Sequence, residues 1–255
     1  MTDRADQRER DIVRAFVDLS TELVNDYDML EMLAQLTRNC ASLLDVASAG
    51  LLLADPRGVL HLAAASSERT QELELIQLQR DEGPCLDCYR SGAAVTVPDM
   101  AAEQARWPQF SRAALGAGFK SVHAVPMKLR GNVLGALNLF GESVGRLEDS
   151  DLDLAQALAH VACVAIVNEK SASDHLTVNS QLQHALTSRI VLEQAKGVIA
   201  NALGLEIDDA FMVLRGYARD HGRKLSEIAH EVVNRELRAE TMVQRSQPAS
   251  RQLRS

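Results

Sequence analysis

Residues Leu182–Val233 read LQHALTSRIVLEQAKGVIANALGLEIDDAFMVLRGYARDHGRKLSEIAHEVV. Their apolar spacing divides them into three short helices. In the first, Leu182, Leu186 and Ile190 form one i, i+4 ladder, and Val191, Ala195, Ile199 and Leu203 form a second beside it, the broad apolar face of a packed helix. Gly204 follows where a C-cap favours the left-handed conformation. The second helix carries Phe211, Leu214 and Ala218, with Asp208 and Asp209 at its N-terminal end and Gly222 as its stop. Leu225, Ile228, Ala229, Val232 and Val233 give the third helix its buried face. Each is too short to be stable alone in water, so the segment predicts a compact three-helix bundle over residues 181–240.

What the bundle core leaves over is chemical. Lys196-Gly197 lies inside the first helix, where glycine costs about 0.5–1 kcal/mol relative to alanine. Close approach of another helix or of a ligand would offset that cost. Arg189 and Lys196 are seven apart and share one face; Arg215 and Arg219 are four apart and share another. Spacing alone is equally met by a glycine that permits tight packing and cations on a solvated face.

Three linked blocks, SRxVxEQAKGxI from Ser188, AFxxLRxxA from Ala210 and LxxIAxxVV from Leu225, resemble the ANTAR domain, a three-helix RNA-binding module of bacterial transcription antiterminators. The resemblance implies that the bundle binds stem-loop RNA in nascent transcripts. Lys196 and Arg215 are then the expected RNA contacts, with Arg189 and Arg219 supporting and Gly197 allowing close approach. One departure is Glu206, a weaker N-cap for the second helix than Ser, Thr or Asp.

The chain has 255 residues, a length that suggests two domains. Its 46% apolar and 24% charged residues are those of an ordinary globular protein. No uninterrupted apolar run approaches the roughly 20 residues of a membrane span, and the start MTDRADQRERD lacks the apolar core of a secretory signal. The expectation is a cytoplasmic protein without membrane contact. Net charge is −10 over residues 1–180, −1 over 181–240 and +3 over 241–255, giving −8 in all. The bundle thus lacks the bulk cationic signature of a nucleic-acid binder. Local contacts to unstacked loop bases are the compatible mode. A helix-turn-helix in the last two helices, reading duplex DNA, is the alternative, and the missing positive charge speaks against it. A protein-interaction module is a third reading.

The N-terminal part alternates differently. Helices are expected over Glu9–Val24, Asp28–Leu44, Glu68–Gln79 and Trp107–Leu115, and another opening at Ser150 with Ser150 and Asp153 as a capping box. Strands are expected over Ser48–Ala54, Gly58–Ala64, Ala93–Val97, Val122–Leu129 and Val133–Phe140. Asp81-Glu82-Gly83-Pro84 reads as a break, and Asp55–Gly58 and Arg130–Asn132 read as hairpin turns. The order implies an α+β fold with an antiparallel sheet covered by helices. The pieces EGPCLDCYRSG (Glu82–Gly92), VPDM (Val97–Met100), RWPQF (Arg106–Phe110) and VPMKLRGNVLGALNLF (Val125–Phe140) resemble a GAF domain, a fold that senses small molecules or mediates dimerisation. An unidentified small-molecule ligand is one of the two roles the resemblance leaves open, and no cofactor is expected.

The predicted organisation is a GAF-like sensory domain over 1–148, a coiled-coil linker helix over 149–180, an ANTAR-like bundle over 181–240 and a disordered basic tail over 241–255. Leu154, Leu158, Val161, Ala165 and Asn168 step by 4, 3, 4, 3, the rhythm of a dimer seam; a Ser-rich interruption, Ser171–Asp174, reads as a hinge or a plain linker. A homodimer is expected. Cys85-x-x-Cys88 has no second ligand pair for zinc and reads as two small residues packed on a helix, with a redox pair the minority reading. His61 and His123 are lone strand histidines. Trp107 and Phe110 read as anchors of their helix to the sheet. No nucleophile–base constellation or phosphate loop is present in the sequence, so catalytic residues and metal ligands are expected to be none, and the reading is a regulator rather than an enzyme.

Overall fold

The computed structural model describes residues 2–24, 28–168 and 178–243, which fall into two compact units, Met1–Leu186 and Thr187–Ser255. The first unit opens with helices α1 (Thr2–Val24) and α2 (Met29–Leu43). The α2 helix begins at Asp28, whose carboxylate accepts the N–H of Leu30 at 2.8 Å and of Glu31 at 3.3 Å. Strands β1 (Ser48–Ala54) and β2 (Leu60–Ala65) follow as a hairpin, then helices α3 (Glu68–Arg80) and α4 (Pro84–Ser91), strand β3 (Val95–Val97), a 3-10 turn (Met100–Glu103), α5 (Pro108–Gly116), β4 (Ser121–Leu129), β5 (Asn132–Gly141) and α6 (Asp149–Asn168). All neighbouring strands are antiparallel in the order β2-β1-β5-β4-β3, the sheet that the sequence implies.

The β4–β5 hairpin closes on Leu129 paired with Asn132. Arg130 (φ 51°) and Gly131 (φ 84°) both have positive φ, the two-residue turn whose twist matches that of the strands it joins. Alternation along the strands then distributes the side chains. Leu51 and Leu53 of β1, Val125 and Met127 of β4, and Leu137 and Leu139 of β5 pack with α2 and α6. On the opposite face, Leu52, Ala124 and Ala136 pack with Cys85, Leu86 and Cys88 of α4. Val122 and Phe140 on that face join Leu73 of α3 and Phe110 of α5. Trp107 (2% exposed) and Phe110 (fully buried) anchor α5 as expected.

The break expected over Asp81–Pro84 is present, with α3 ending at Arg80, and Pro84 also begins α4, because proline at the first helical position loses no hydrogen bond. Two further expectations are corrected here. The α6 helix starts at Asp149, so Ser150 lies inside the first turn rather than capping it. The 4-3 stepping in α6 serves the core of the chain itself. Leu158 and Ala165 are fully buried in the cluster beneath the sheet, with Leu154 and Val161 packed against it. Asp149–Val167 is long and apolar enough by composition to cross a bilayer, but the same burial of Ala155, Leu158, Ala159, Ala162 and Ile166 accounts for its apolarity. The Ser171–Asp174 interruption lies outside the described residues.

The second unit contains the end of α7 (Val178–Leu203), α8 (Ile207–Asp220), α9 (Leu225–Val233) and a short α10 (Ala239–Val243). Gly204 (φ 66°) and Gly222 (φ 60°) take the left-handed conformation at the two helix ends. Glu206 occupies the N-cap of α8 without a side-chain cap hydrogen bond. Leu192, Ala195 and Ile199 are buried on α7; Ala210, Leu214 and Ala218 on α8; Leu225, Ile228, Ala229 and Val232 on α9. The buried side of α7 keeps Leu186, Ala195 and Ile199 of the expected ladders but is rotated away from Ile190, which is 61% exposed, toward Leu192. The residues expected to form a disordered tail begin within α10, where Met242 is buried; residues 244–255 lie outside the described residues.

Candidate functional site

The four cations singled out by spacing have different surroundings. Arg189 and Lys196 are buried, at 9% and 7% exposure, which overturns their placement on a solvated face. Glu193 lies between them on α7. Its carboxylate is 2.6 Å from Arg189 and 2.8 Å from the Lys196 Nζ, so two spacings of one helical turn make a cation–anion–cation ladder. Burial pulls the Arg189 guanidinium below its ordinary value while Glu193 pulls the other way. The Lys196 Nζ also lies 5.9 Å from the centre of the Phe211 ring of α8, near the outer limit of a cation–π contact. Lys196 therefore ties α7 to α8.

The α8 pair is more open. Arg215 is half-buried. The Arg219 side chain is 77% exposed, with its Nε 3.6 Å from Asp220. Met212 is exposed three residues before Arg215, so the α8 face that reaches solvent is part cationic and part apolar. Gly197 is exposed, and a Cβ placed on it would meet nothing within 4 Å; no neighbour among the described residues explains a glycine there. Arg223 crosses to α9, where Glu231 accepts at 2.8 and 2.9 Å and Glu227 at 3.3 Å. These bonds hold Arg223 above its ordinary value.

The sequence reading passed over Tyr217 and His221. Their rings stack at 4.0 Å with 24° between planes, and the His221 Nδ1 is 2.8 Å from the Tyr217 carbonyl. Two rings four apart near a helix end were the available signal. An exposed histidine on a half-buried tyrosine offers a flat surface of the kind on which unpaired bases stack.

In the first unit, Cys85 and Cys88 are fully buried on α4. Burial pushes Cys88 up to about 12 and Cys85 well above the usual thiol range, so both are neutral thiols. Among the described residues no group of three His, Cys, Asp or Glu side chains is placed to hold a metal ion. His61 reaches Asp55 at 3.4 Å at the β1–β2 turn. His123 is buried on β4; burial first, and then Arg146, lowers it to about 4.

The GAF domain family matches residues 26–167 and the ANTAR domain family matches residues 180–233. More than half of the chain lies in the first match: it belongs to the GAF domain family and carries an ANTAR domain behind it. A GAF domain is a sensory domain and an ANTAR domain is an RNA-binding antitermination module; both are regulatory. Solved structures of similar fold include a free methionine-R-sulfoxide reductase from Neisseria meningitidis in complex with its substrate. It is 18% identical with TM-score 0.51, and the match covers 67% of this chain and 94% of that one. Another is the GAF domain of a phosphoenolpyruvate-protein phosphotransferase from Coxiella burnetii, 13% identical with TM-score 0.50, covering 62% and 93%. At such identities the likeness concerns the fold alone. A search of curated proteins finds no match.

Proposed function

We propose that this chain is a cytoplasmic, signal-responsive regulator that binds stem-loop RNA in nascent transcripts through α7–α9 and acts in transcription antitermination. The GAF domain supplies the input, through a small molecule or through dimerisation. The observation that carries this reading is the ANTAR match over residues 180–233 on helices whose apolar faces are buried as a bundle requires. Arg215 and Arg219, on the open face of α8, are the contacts we assign to RNA, and the Tyr217–His221 stack is a platform for an unpaired base. Arg189 and Lys196 act from inside, holding α7 and α8 through Glu193 and Phe211. Gly197, with open space around it, lets the RNA backbone come close to α7.

In a homodimer two bundles address two loops and gain avidity from their high effective concentration. Leu158 and Ala165 are taken up by the core, which supports assigning a dimer contact to another surface. The direct experiment is titration of the full chain with a two-loop RNA and with duplex DNA of equal length. Tighter binding of the RNA supports the proposal; preference for the duplex favours the helix-turn-helix reading.

A further inference from the structure

Deep in the first unit, four polar groups from three elements meet. The Glu74 carboxylate of α3 accepts from the Asn138 Nδ2 of β5 at 2.7 Å and from the Gln77 Nε2 of α3 at 2.7 Å. The Gln77 Oε1 accepts from the backbone N–H of Cys85 at the start of α4 at 2.9 Å, and the Cys85 Sγ donates to the Ala136 carbonyl of β5 at 3.7 Å. Glu74, Gln77, Cys85 and Asn138 are all fully buried. The space is shaped around them: a Cβ at Gly50 of β1 would collide with the Glu74 carboxylate, and one at Gly83 with the Gln77 amide. The carboxylate and its neighbours thus occupy room that side chains at those positions would fill.

We infer that Glu74 is a proton-binding site within the sensory unit, and that gain or loss of one proton there sets how firmly α3 and α4 are tied to β5. A carboxylate removed from water needs a cation or a full set of donors. Glu74 has neither: Gln77, Asn138 and the neutral thiol of Cys85 face it, and Gly50 of β1 lies beside it. Lys128 of β4 acts on Cys88, while among the described residues burial and the bonds from Asn138 and Gln77 are what act on Glu74. One atom of the cluster is left over, the Asn138 Oδ1, buried without a partner. An unused acceptor suits a proton-bearing carboxyl. Once Glu74 takes up a proton, a half-turn of the Asn138 amide presents Oδ1 to accept it, and the unpartnered position passes from Oδ1 to Nδ2. With Glu74 ionised, the charge and the orphan acceptor are both buried. Burial, opposed by the bonds from Asn138 and Gln77, pushes Glu74 up to about 7, which places the transition in the range a cytoplasm traverses.

The sign follows from linkage. A carboxyl raised above its unfolded value stabilises the fold fully below about pH 4.5, and that contribution is lost as pH rises through about 7. The test is urea unfolding of the full chain from pH 5 to 8, read by the fluorescence of Trp107, the single tryptophan and buried in this unit. Relative to Glu74→Gln, the wild-type folding constant should fall roughly fifty- to a hundred-fold over that range. His123 works in the opposite direction between about 4 and 6.5 and is common to both chains, so the comparison cancels it. Parallel pH profiles for the two chains would overturn the inference. Should Glu74→Gln fail to fold, carboxyl carbon NMR of the wild type decides instead: a Glu74 midpoint near 7 supports the site, and one below about 5.5 removes it. Neither readout depends on RNA binding.

Discussion

The two halves of this chain bury charge in opposite ways. The ANTAR bundle draws two cations inside, Arg189 and Lys196, and sets one carboxylate, Glu193, between them. The GAF domain buries Asp55 and Asp151 against Arg57 and Arg8, but sets Glu74 among neutral amides and the Cys85 thiol. The first arrangement sets each cation against the shared carboxylate and ties two helices. The second is free to exchange a proton. A regulator needs both kinds of interior: a rigid one to present an interface, and a responsive one to register a signal.

The largest effect should come from Leu158→Asp. Read as a dimer seam, this residue would tolerate aspartate at the cost of association alone. Buried in the GAF core, it should lose more than about 4 kcal/mol, enough to abolish folding. Circular dichroism showing a folded monomer would break the assignment of α6 to the core. Next is Glu193→Ala, which removes the carboxylate that two buried cations share. Removing one partner of a fully buried ion pair costs about 3–5 kcal/mol; because Glu193 is 30% exposed, about 2–3 kcal/mol of bundle stability is expected in a chemical denaturation. A loss no larger than that of an exposed surface pair, under about 1 kcal/mol, would erase the contrast between the two interiors.

How far the sequence carried these conclusions depends on what each residue's spacing can encode. The sheet was legible because alternation from Val125 to Phe140 and the Arg130-Gly131 turn are local signals. The stops at Gly204 and Gly222 were legible for the same reason. The helix expected to carry Cys85 and Cys88 was given no start, because proline both ends and begins helices and Pro84 was read only in the first sense. Leu158 misled because a helix lying on a sheet and a helix in a coiled coil share the same 4-3 stepping. For Arg189 and Lys196, a seven-residue interval says that two side chains share a face and not which face it is; Leu192, absent from the expected ladder, marks the rotation. The Glu74 cluster joins residues up to 64 apart in sequence, and nothing local announces such a meeting.

Smaller effects sharpen the picture of the interface. Arg215→Ala keeps helix propensity high and removes a charge-assisted contact, for a loss of about 1.5–3 kcal/mol in RNA binding, or roughly ten- to a hundred-fold. Arg238, exposed beyond α9, is the control and should change affinity little; both are read by the same titration. Gly197→Ala separates fold from function at the lowest cost. With open space at its Cβ position, alanine should stabilise the bundle by about 0.5–1 kcal/mol in thermal unfolding. The same substitution should weaken RNA binding if the glycine exists for close approach.

The central claim is that the second unit recognises RNA through the open face of α8, with the buried ladder as its frame. It is tested most directly by titrating wild type and Arg215→Ala with one two-loop RNA across a salt series. The account predicts saturable binding by the wild type with a shallow salt dependence, since a bundle of net charge −1 releases few counterions, and at least ten-fold weaker binding by the variant. Equal binding of the two proteins, or a steep salt dependence with no preference for RNA over duplex DNA, would contradict it.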